Sequence, residues 1–360
     1  MATFVMAGGG TGGHVVPSLA VARELVARGH EVFFVGTRVG IEAKLVPAAG
    51  FGIEWIETGA WQRVSWARRA RTLWRIPAAL GKSWSVLKGR RAEAVFSWGG
   101  FVAAPVVAAA LARGVPVVAM EPNAMPGLVN RLAGRFVTKA LLGFEEARAW
   151  FPVGRAEVTG VPVRAEFFSL RAAPDREEMT VLITGGSRGS RTLNEAFRQS
   201  WPLFQREGVA VRFRHQAGVD AQPELARAFA DTGLAGQVDA FIADMPAAFA
   251  EAGLIVGRAG ANAVAELAAA GKPSILVPFP FAADDHQKKN AEALVRAGAA
   301  RLIHDGQMNG QRLFDEVLEL ARDRRQLARM GQAARGLAHP GAAERAATVL
   351  EEAAGRRPSI

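Results

Sequence analysis

The clearest indication of the fold of this chain is in residues 252–290, AGLIVGRAGANAVAELAAAGKPSILVPFPFAADDHQKKN. Its apolar run Leu254–Val256 predicts a buried parallel strand, the helix formers of Ala261–Ala270 predict a helix, and Ser274–Val277 predicts a second strand. The glycine turn Gly257–Gly260 makes this a βαβ unit whose helix opens at the carboxyl end of the first strand. The first N–H groups of a helix have no intrahelical partner and attract phosphate. The stretch therefore predicts an α/β fold with an anion site.

Polar side chains in the same stretch suit a nucleotide sugar. Arg258 adds a positive charge to the glycine turn. Glu266 follows Asn262 by four residues on the same helix face, where a carboxylate can accept hydrogen bonds from a ribose diol. The segment Asp284–Gln287 is predicted to be a loop that offers polar groups to a sugar. An ordinary βαβ unit with a polar loop is the alternative, and spacing alone leaves both open.

Length and composition indicate a two-domain α/β protein. A chain of 360 residues is long for one hydrophobic core, and half of its residues are apolar. It has no cysteine, which excludes disulfides and thiolate metal sites. The sequence shows neither a secretory leader nor the roughly 20 consecutive apolar residues of a spanning helix, so we expect a cytoplasmic protein.

Positive charge is concentrated in the first part of the chain. Residues 1–160 hold 19 Lys and Arg against 10 Asp and Glu, a balance of +9, whereas residues 161–360 hold 25 against 24, a balance of +1. The first part is therefore predicted to meet an anionic partner.

A glycine-rich loop, Gly8–Gly13, follows the predicted strand Thr3–Ala7 and precedes a predicted helix, Pro17–Arg28. It satisfies the G-x-G-x-x-G pattern of dinucleotide-binding proteins. The next strand, Glu31–Val35, is followed by Gly36–Arg38, which contains no acid to hold a ribose 2′-hydroxyl. This excludes the NAD interpretation but leaves a diphosphate site open.

His14 stands at the entrance of the helix after this loop. The helix dipole there favours a neutral imidazole, which can accept a proton. A capping or packing histidine is the alternative.

Residues 58–92 combine tryptophans with basic residues, and no acid interrupts them. The set comprises Trp61, Trp66, Trp74, Trp84, Arg63, Arg68, Arg69, Arg71, Arg75, Lys82, Lys88, Arg90 and Arg91. Tryptophan prefers the headgroup level of a bilayer and basic residues are drawn to anionic lipids, so a membrane surface is favoured. Binding of single-stranded nucleic acid and a helix pair with a solvated basic face are the alternatives.

The rest of the first half completes a doubly wound unit. A predicted strand, Val115–Met120, leads into the loop Glu121–Gly127, and the carboxyl end of such a strand is where an α/β sheet presents site residues. The Gly- and Pro-containing segment Gly160–Arg164 is the best domain boundary.

The second half repeats this logic. The strand Thr180–Thr184 leads into a second glycine-rich loop, Gly185–Ser190, and then into a helix near Arg191. Ile242 follows the predicted strand Val238–Phe241. The last predicted helix, Ala342–Ala354, is expected to pack back on the first domain.

Several motifs in this order resemble the MurG family of glycosyltransferases over essentially the whole chain. They are GGGTGGHVVP (8–17), WGGFVAAP (98–105), EPNAMPGLVNR (121–131), TGVPVR (159–164), GGSRGS (185–190) and the stretch ending in DDHQKKNA. The resemblance implies a GT-B fold, in which two Rossmann-like doubly wound parallel-sheet domains face each other across a cleft. The implied domains are residues 1–163 for the acceptor and the membrane, residues 164–340 for the UDP-sugar, and a C-terminal helix in residues 341–360.

The resemblance also implies roles for individual residues. The donor UDP-GlcNAc is expected to contact Thr11, Gly12, Gly13, Asn123, Arg164, Ser187, Ile242, Arg258, Glu266, His286 and Gln287. Ser187 is expected at the diphosphate, the Ile242 backbone at the uracil and Glu266 at the ribose. The loop Gly10, Thr11, Gly12, Gly13 and His14 is expected to face the acceptor, with His14 as general base and Asn123 positioning the acceptor.

The implied reaction is an inverting transfer of N-acetylglucosamine to the 4-hydroxyl of undecaprenyl-diphospho-MurNAc-pentapeptide. No D-x-D clamp is present, so no cofactor or metal is expected. Trp66, Arg68, Arg69, Trp74 and Arg75 are expected to bind an anionic membrane on the cytoplasmic face of the plasma membrane, without nucleic acid.

The sequence departs from the family pattern at two positions, and other functions remain open. Val161 stands where the family commonly has Asn, and Arg188 where it commonly has Gln. A GT-B transferase with another lipid acceptor, a sugar-nucleotide 2-epimerase and a non-catalytic nucleotide-sugar-binding membrane scaffold are the alternatives.

Overall fold

The computed structural model describes residues 1–9, 12–57, 66–170 and 178–355, with side chains left out for Gly12 and residues 66–75. The chain divides into two compact units. Unit 1 comprises Met1–Arg164 and His339–Ile360, and unit 2 comprises Ala165–Ala338.

Unit 1 alternates strands and helices. In chain order its first elements are β1 (Thr3–Ala7), α1 (Gly12–Ala27), β2 (Glu31–Gly36), α2 (Glu42–Ala48), β3 (Gly52–Trp55), α3 (Trp66–Gly89), β4 (Ala94–Ser97), α4 (Gly100–Ala112), β5 (Val117–Glu121), α5 (Leu128–Ala133), β6 (Lys139–Leu142) and β7 (Ala156–Val158). The seven strands are parallel and lie in the order β3-β2-β1-β4-β5-β6-β7. Right-handed crossovers then place α1 and α2 on one face of the sheet and α3, α4 and α5 on the other.

The strand order of unit 1 reverses between β1 and β4. The loops that follow these two strands therefore leave the same edge of the sheet side by side, which is where doubly wound folds bind ligands. This brings Gly8–Gly9 and His14 next to Trp98–Gly100.

Unit 2 has the same architecture with six parallel strands. Its elements are α6 (Ala165–Phe168), β8 (Met179–Thr184), α7 (Arg191–Glu207), β9 (Val211–Gln216), α8 (Gln222–Ala230), β10 (Gly236–Asp239), α9 (Met245–Glu251), β11 (Leu254–Gly257), α10 (Ala261–Ala270), β12 (Ser274–Leu276), α11 (His286–Arg296), β13 (Ala300–Leu302), α12 (Gly310–Arg322) and α13 (Arg324–Arg335). The order β10-β9-β8-β11-β12-β13 reverses between β8 and β11. The loops Gly185–Ser190 and Arg258–Gly260 therefore lie side by side.

The last described helix, α14 (Ala342–Ala353), belongs to unit 1. It packs on α1 and on β4, β5 and β6, the part of the sheet face that α1 and α2 leave open. Buried Glu351 accepts hydrogen bonds from Arg28 Nη1 and His30 Nε2, each at 2.8 Å. Arg345 holds Glu157 through two further bonds of 2.6 and 2.8 Å. Removing one partner of a buried ion pair is strongly destabilising, so the contacts of Glu351 fix α14 to the sheet, and the more exposed Arg345–Glu157 pair adds a second link.

The core of unit 2 is rich in aromatic side chains. Phe197 of α7 is buried, and its ring centroid lies 5.2 Å from that of Phe213 and 5.3 Å from that of Phe229. Such ring pairs add about 0.5–1.5 kcal/mol each beyond the burial of apolar area. They hold α7, whose first turn follows the second glycine-rich loop, against the sheet.

Several sequence-based predictions of the elements differ from the structure. Helix α1 begins at Gly12 rather than Pro17, because Pro17 lies inside the helix although proline usually marks the first turn. Strand β10 ends at Asp239, so Ile242 lies beyond it in a loop. The helix pair that was an alternative for residues 58–92 is not present in their described part, residues 66–92, which holds the single helix α3 up to Gly89.

Candidate functional site

His14 lies in the first turn of α1, beside the loop that follows β4. Its Nδ1 lies 3.2 Å from the Gly9 carbonyl oxygen. A carbonyl only accepts hydrogen bonds, so Nδ1 carries a proton, and in the neutral imidazole Nε2 is the ring nitrogen with the lone pair. A Cβ added at Gly100 would lie 3.5 Å from His14 Cε1, so this glycine (φ 74°) borders the imidazole. Gly10 and Thr11 lie outside the described residues.

The buried carboxylate of Glu42 packs against the first glycine-rich loop at Gly9. The backbone N–H and the hydroxyl of Thr37 donate to Glu42 Oε1 at 3.0 and 2.8 Å. A Cβ at Gly9 would lie only 2.4 Å from the same oxygen, and a Cβ at Gly40 would lie 2.0 Å from Oε2. A side chain at either position would displace the Glu42 carboxylate from the space it occupies. Sequence reasoning missed Glu42, since it follows the strand β2 by six residues and fits no motif.

The loop that carries Asn123 is organised by Glu121, the last residue of β5. Glu121 is 1% exposed. Its Oε1 accepts from the Asn123 backbone N–H at 3.0 Å and from Asn123 Nδ2 at 3.2 Å. Its Oε2 accepts from the Gly127 N–H and from Asn130 Nδ2, both at 2.9 Å. Burial raises the pKa of the Glu121 carboxyl, and the four hydrogen bonds oppose that shift.

Asn130 connects this loop to the neighbourhood of His14. A Cβ at Gly99 would lie 3.0 Å from Asn130 Oδ1, and the Gly99 N–H donates to Ser97 Oγ at 3.1 Å. Gly100, the next residue, borders His14. Unit 1 thus brings His14 and the Asn123 loop to adjoining positions, with the Gly99–Gly100 turn between them.

The second glycine-rich loop presents Ser187 and Arg188 at an exposed turn. It ends at Ser190, whose hydroxyl caps α7 by accepting from the Leu193 N–H at 3.3 Å. The neighbouring helix α10 starts after Gly260 without any side-chain cap, so its first N–H groups are candidates for a phosphate.

Arg258 forms hydrogen bonds with several neighbouring groups of unit 2. Its guanidinium contacts Asp305, Ser190 and the carbonyl groups of Val277 and Pro278. Sequence reasoning identified Arg258 but not Asp305.

Gln216 links the second glycine-rich loop to the loop that holds Ile242. Its Nε2 donates to the Gly186 carbonyl at 2.7 Å and its Oε1 accepts from the Ile242 N–H at 2.9 Å. Gln216 and Ile242 are both buried. Because the Ile242 N–H has this partner, the predicted uracil contact of the Ile242 backbone would have to use its carbonyl. Sequence reasoning missed Gln216, which looks like an ordinary residue at the end of β9.

Three residues that are predicted to bind the sugar-nucleotide donor lie on two helices. Glu266 is half-buried on α10. His286 and Gln287 form the first turn of α11, so their placement in a loop was wrong. Asp284 and Asp285 adopt φ angles of 51° and 53°, which turn the chain into α11. The Phe279 N–H donates to Gln287 Oε1 at 3.0 Å, and His286 Nδ1 donates to the Ala283 carbonyl at 2.7 Å.

Other predicted residues lie at the border of unit 1 or outside the described side chains. Arg164 is the exposed last residue of the first segment of unit 1, and Val161 is buried. Side chains are not described for the predicted membrane residues Trp66, Arg68, Arg69, Trp74 and Arg75.

Farther along α3, Ile76, Leu80 and Trp84 are 48%, 36% and 41% exposed, and they follow one another at four-residue intervals along one side of the helix. Within the described ranges no helix is both long and apolar enough to span a membrane, and no three His, Asp or Glu side chains cluster as metal ligands.

Two family models match the chain in order. The N-terminal domain of glycosyltransferase family 28 matches residues 4–142, and the C-terminal domain of the same family matches residues 180–346. With the two parallel-sheet units, these matches define the class of protein: a glycosyltransferase with the GT-B fold. The predicted fold class is confirmed.

Similar proteins narrow the class further. The UDP-N-acetylglucosamine–N-acetylmuramyl-(pentapeptide) pyrophosphoryl-undecaprenol N-acetylglucosamine transferase of Solibacter usitatus is 58% identical over 98% of this chain and 96% of its own length. The protein of the same name from Halorhodospira halophila is 42% identical over 98% of each chain. The crystal structure of MurG from Acinetobacter baumannii aligns with a TM-score of 0.83 and 31% identity, covering 98% of this chain and all of that one. The chain belongs to the MurG family.

Proposed function

We propose that this chain transfers N-acetylglucosamine from UDP-N-acetylglucosamine to the 4-hydroxyl of undecaprenyl-diphospho-N-acetylmuramoyl-pentapeptide. The observation that carries the proposal within the site is the geometry of His14. The Gly9 carbonyl selects the tautomer with the lone pair on Nε2, which is the form that a general base needs. The two relatives named above, both called N-acetylglucosamine transferases of this acceptor, support the same substrate pair.

The reaction is a single in-line displacement with inversion. His14 Nε2 takes the proton of the acceptor hydroxyl while that oxygen forms a bond to the anomeric carbon of the donor. The bond from the anomeric carbon to the diphosphate oxygen breaks, and UDP leaves with the electron pair. Asn123, held by Glu121, positions the acceptor, and Gly10–Gly13 border it.

Unit 2 supplies the groups for the leaving diphosphate and for the nucleoside. The uncapped start of α10 and the exposed Ser187 turn support a role in binding the charge that develops on UDP. Glu266 binds the ribose, the Ile242 carbonyl binds the uracil, and His286 and Gln287 bind the sugar. Arg164 completes the donor set, with Thr11, Gly12, Gly13 and Asn123. No metal is required in this scheme.

We further propose that unit 1 binds the cytoplasmic face of an anionic membrane, where a lipid-linked acceptor resides. The exposed row Ile76, Leu80 and Trp84 on α3 supports this surface, and the guanidinium of Arg113 lies 4.8 Å from the Trp84 ring. A second exposed row, Leu128, Leu132 and Phe136, lies on and just after α5, whose crossover falls on the same sheet face. Apolar side chains beside cations are the combination that an anionic bilayer attracts.

The experiment that tests the transferase measures UDP release from UDP-N-acetylglucosamine in EDTA, with and without a short-chain lipid-linked muramoyl-pentapeptide. We expect release only with the acceptor. Release without acceptor would instead indicate hydrolysis or epimerisation. Donor binding without release in either reaction would favour a non-catalytic scaffold, and transfer to another lipid alone would identify a different acceptor.

The membrane surface is tested by sedimentation with vesicles of phosphatidylglycerol and phosphatidylcholine. Changing Ile76, Leu80 and Trp84 together to Ser is expected to lower vesicle binding about 10-fold or more, because each buried apolar side chain contributes about 1.5–3 kcal/mol. Val26→Ser with Val39→Ser changes two exposed apolar residues elsewhere in unit 1 and should leave binding intact. Equal binding of wild type and the triple variant would contradict the proposed surface.

A further inference from the structure

Asp305 holds two elements of unit 2 at once. It begins a short 3-10 turn after β13, and its side chain is 18% exposed. Its Oδ1 lies 2.5 Å from Arg258 Nη1, and its Oδ2 accepts from the Thr192 hydroxyl at 3.1 Å. Thr192 lies in the first turn of α7, and Arg258 lies in the turn between β11 and α10. Both oxygens of one carboxylate therefore join the two turns that flank the predicted diphosphate position.

Arg258 in turn hydrogen-bonds to two further segments of unit 2. Its Nη2 donates to Ser190 Oγ at 2.7 Å, the same hydroxyl that caps α7. Its Nη1 donates to the Val277 carbonyl at 2.9 Å and lies 3.3 Å from the Pro278 carbonyl. The guanidinium is planar, so a carboxylate that fixes one nitrogen also fixes the directions of the others.

The segment that Arg258 holds continues to a predicted sugar contact. The residue after Pro278 is Phe279, whose N–H donates to Gln287 Oε1 at 3.0 Å. The ring of Phe279 also lies 5.6 Å from the Arg258 guanidinium carbon. The position of the Gln287 amide thus depends on a backbone segment that Arg258 holds.

We infer that Asp305 is a positioning residue for donor binding: it orients Arg258, which aligns the end of the second glycine-rich loop at Ser190 with the segment that carries Gln287. This inference rests on the proposed donor site in unit 2. The pair is suited to such a role because Arg258 and Asp305 are only 13% and 18% exposed, where a charge-assisted hydrogen bond is little weakened by solvent. The proposed uracil position is held by a different residue, Gln216, whose side-chain amide hydrogen-bonds to Gly186 and to Ile242.

Because Asp305 and Gln216 hold different parts of the proposed donor site, Asp305→Asn should weaken the binding of some ligands and not of others. This change keeps the size of the side chain and removes its charge. Uridine should bind with the same affinity to wild type and variant, because it has no phosphate or sugar ring beyond the ribose. UDP should bind roughly 10-fold more weakly and UDP-N-acetylglucosamine weaker still, since small misplacements of binding groups cost up to about 100-fold. In turnover, the KM for the donor should rise about 10-fold, with a smaller fall in kcat.

The experiment titrates uridine, UDP and UDP-N-acetylglucosamine into the full chain by calorimetry, with thermal unfolding of each variant. Glu319→Gln is the matched control, because it removes the charge of another carboxylate of unit 2 that pairs with an arginine, Arg301. The control should bind all three ligands as wild type does.

Three results would overturn the inference. Equal weakening of uridine, UDP and UDP-N-acetylglucosamine would make Asp305 a residue of general stability. Unchanged UDP affinity would mean that Arg258 needs no carboxylate, and tighter UDP binding would mean that Asp305 restrains Arg258 from the phosphates. A wild-type chain that binds neither UDP nor UDP-N-acetylglucosamine would instead contradict the donor site itself.

Discussion

The loop after β5 and the loop after β8 are each held by a buried side chain, but the two side chains differ in charge. In unit 1, the Glu121 carboxylate accepts four N–H groups from Asn123, Gly127 and Asn130. In unit 2, the neutral Gln216 amide donates to the Gly186 carbonyl and accepts from the Ile242 N–H. A loop that offers only donors needs an acceptor-only group, whereas a carbonyl and an N–H need an amide, which has both functions.

This comparison predicts that exchanging acid and amide damages each site in a different way. In the proposed function, unit 1 carries the general base and unit 2 carries most of the donor contacts, so turnover and UDP affinity should change largely independently.

His14→Ala should lower kcat roughly 100- to 10,000-fold, the usual contribution of a general base, while the dissociation constant of UDP stays within about twofold. Turnover in the coupled UDP-release assay and calorimetric titration of UDP measure the two quantities. His304→Ala, at an exposed histidine of unit 2, is the control and should keep full turnover. Retained turnover in His14→Ala would remove histidine from the role of base and leave the family assignment untouched.

Glu121→Gln should lower turnover roughly 10- to 100-fold, because the amide places its own N–H against a loop that has only N–H groups to offer. UDP affinity should change much less than turnover, because most of the proposed nucleotide contacts lie in unit 2. Glu145→Gln makes the same charge change at an exposed ion pair of unit 1 and serves as the control. If Glu121→Gln worked as well as wild type, the carboxylate would not be what positions Asn123.

Gln216→Glu should weaken UDP binding about 10-fold at pH 7, because a carboxylate faces the Gly186 carbonyl where a donor is needed. Lowering the pH should restore part of the affinity, since a protonated carboxyl can again donate one hydrogen bond. Calorimetric titration of UDP at pH 7 and pH 5 measures this. Gln332→Glu, on the exposed side of α13, controls for the added charge. Loss of turnover without loss of UDP affinity would contradict the division of labour between the units.

His215, the neighbour of Gln216, should affect stability alone. Burial lowers the pKa of its imidazole from 6.5 to about 4. Between these values the unfolded chain binds a proton that the folded chain does not, so stability falls as the pH falls from 6.5 towards 4, by about 3 kcal/mol in full. His215→Gln keeps an N–H for Asn194 Oδ1 and should flatten this part of the pH profile in urea unfolding. His304→Gln should retain the wild-type slope, and identical slopes for all three proteins would contradict the role of burial.

Sequence predicted best where local signals agree. Helix α10 runs from Ala261 to Ala270 as expected, because its alanine-rich run lies between Gly260 and Gly271, and Gly271 adopts the left-handed conformation (φ 60°) that ends a helix. The start of α11 was missed, because two aspartates before His286 indicate a loop, whereas in the structure they form the turn into a helix.

The supporting residues escaped prediction for a different physical reason. Gln216 and Asp305 contact partners that only the fold brings close, such as Arg258, which precedes Asp305 by 47 residues. Their own neighbours in sequence look like ordinary strand ends. Motifs identify residues at a ligand site, and the buried polar groups beneath them become visible only when the sheet order is known.

Helix α14 has a consequence for how the protein matures during synthesis. In unit 1, α14 covers β4, β5 and β6, and its residue Glu351 is the hydrogen-bond partner of Arg28 and His30. All of unit 2 is translated between these partners. The β4–β6 part of one face of the nascent N-terminal sheet therefore stays uncovered while the second unit emerges and folds, which reverses the usual order of completion. Chaperones that shield exposed apolar surface have their longest opportunity to act on the unit that was made first.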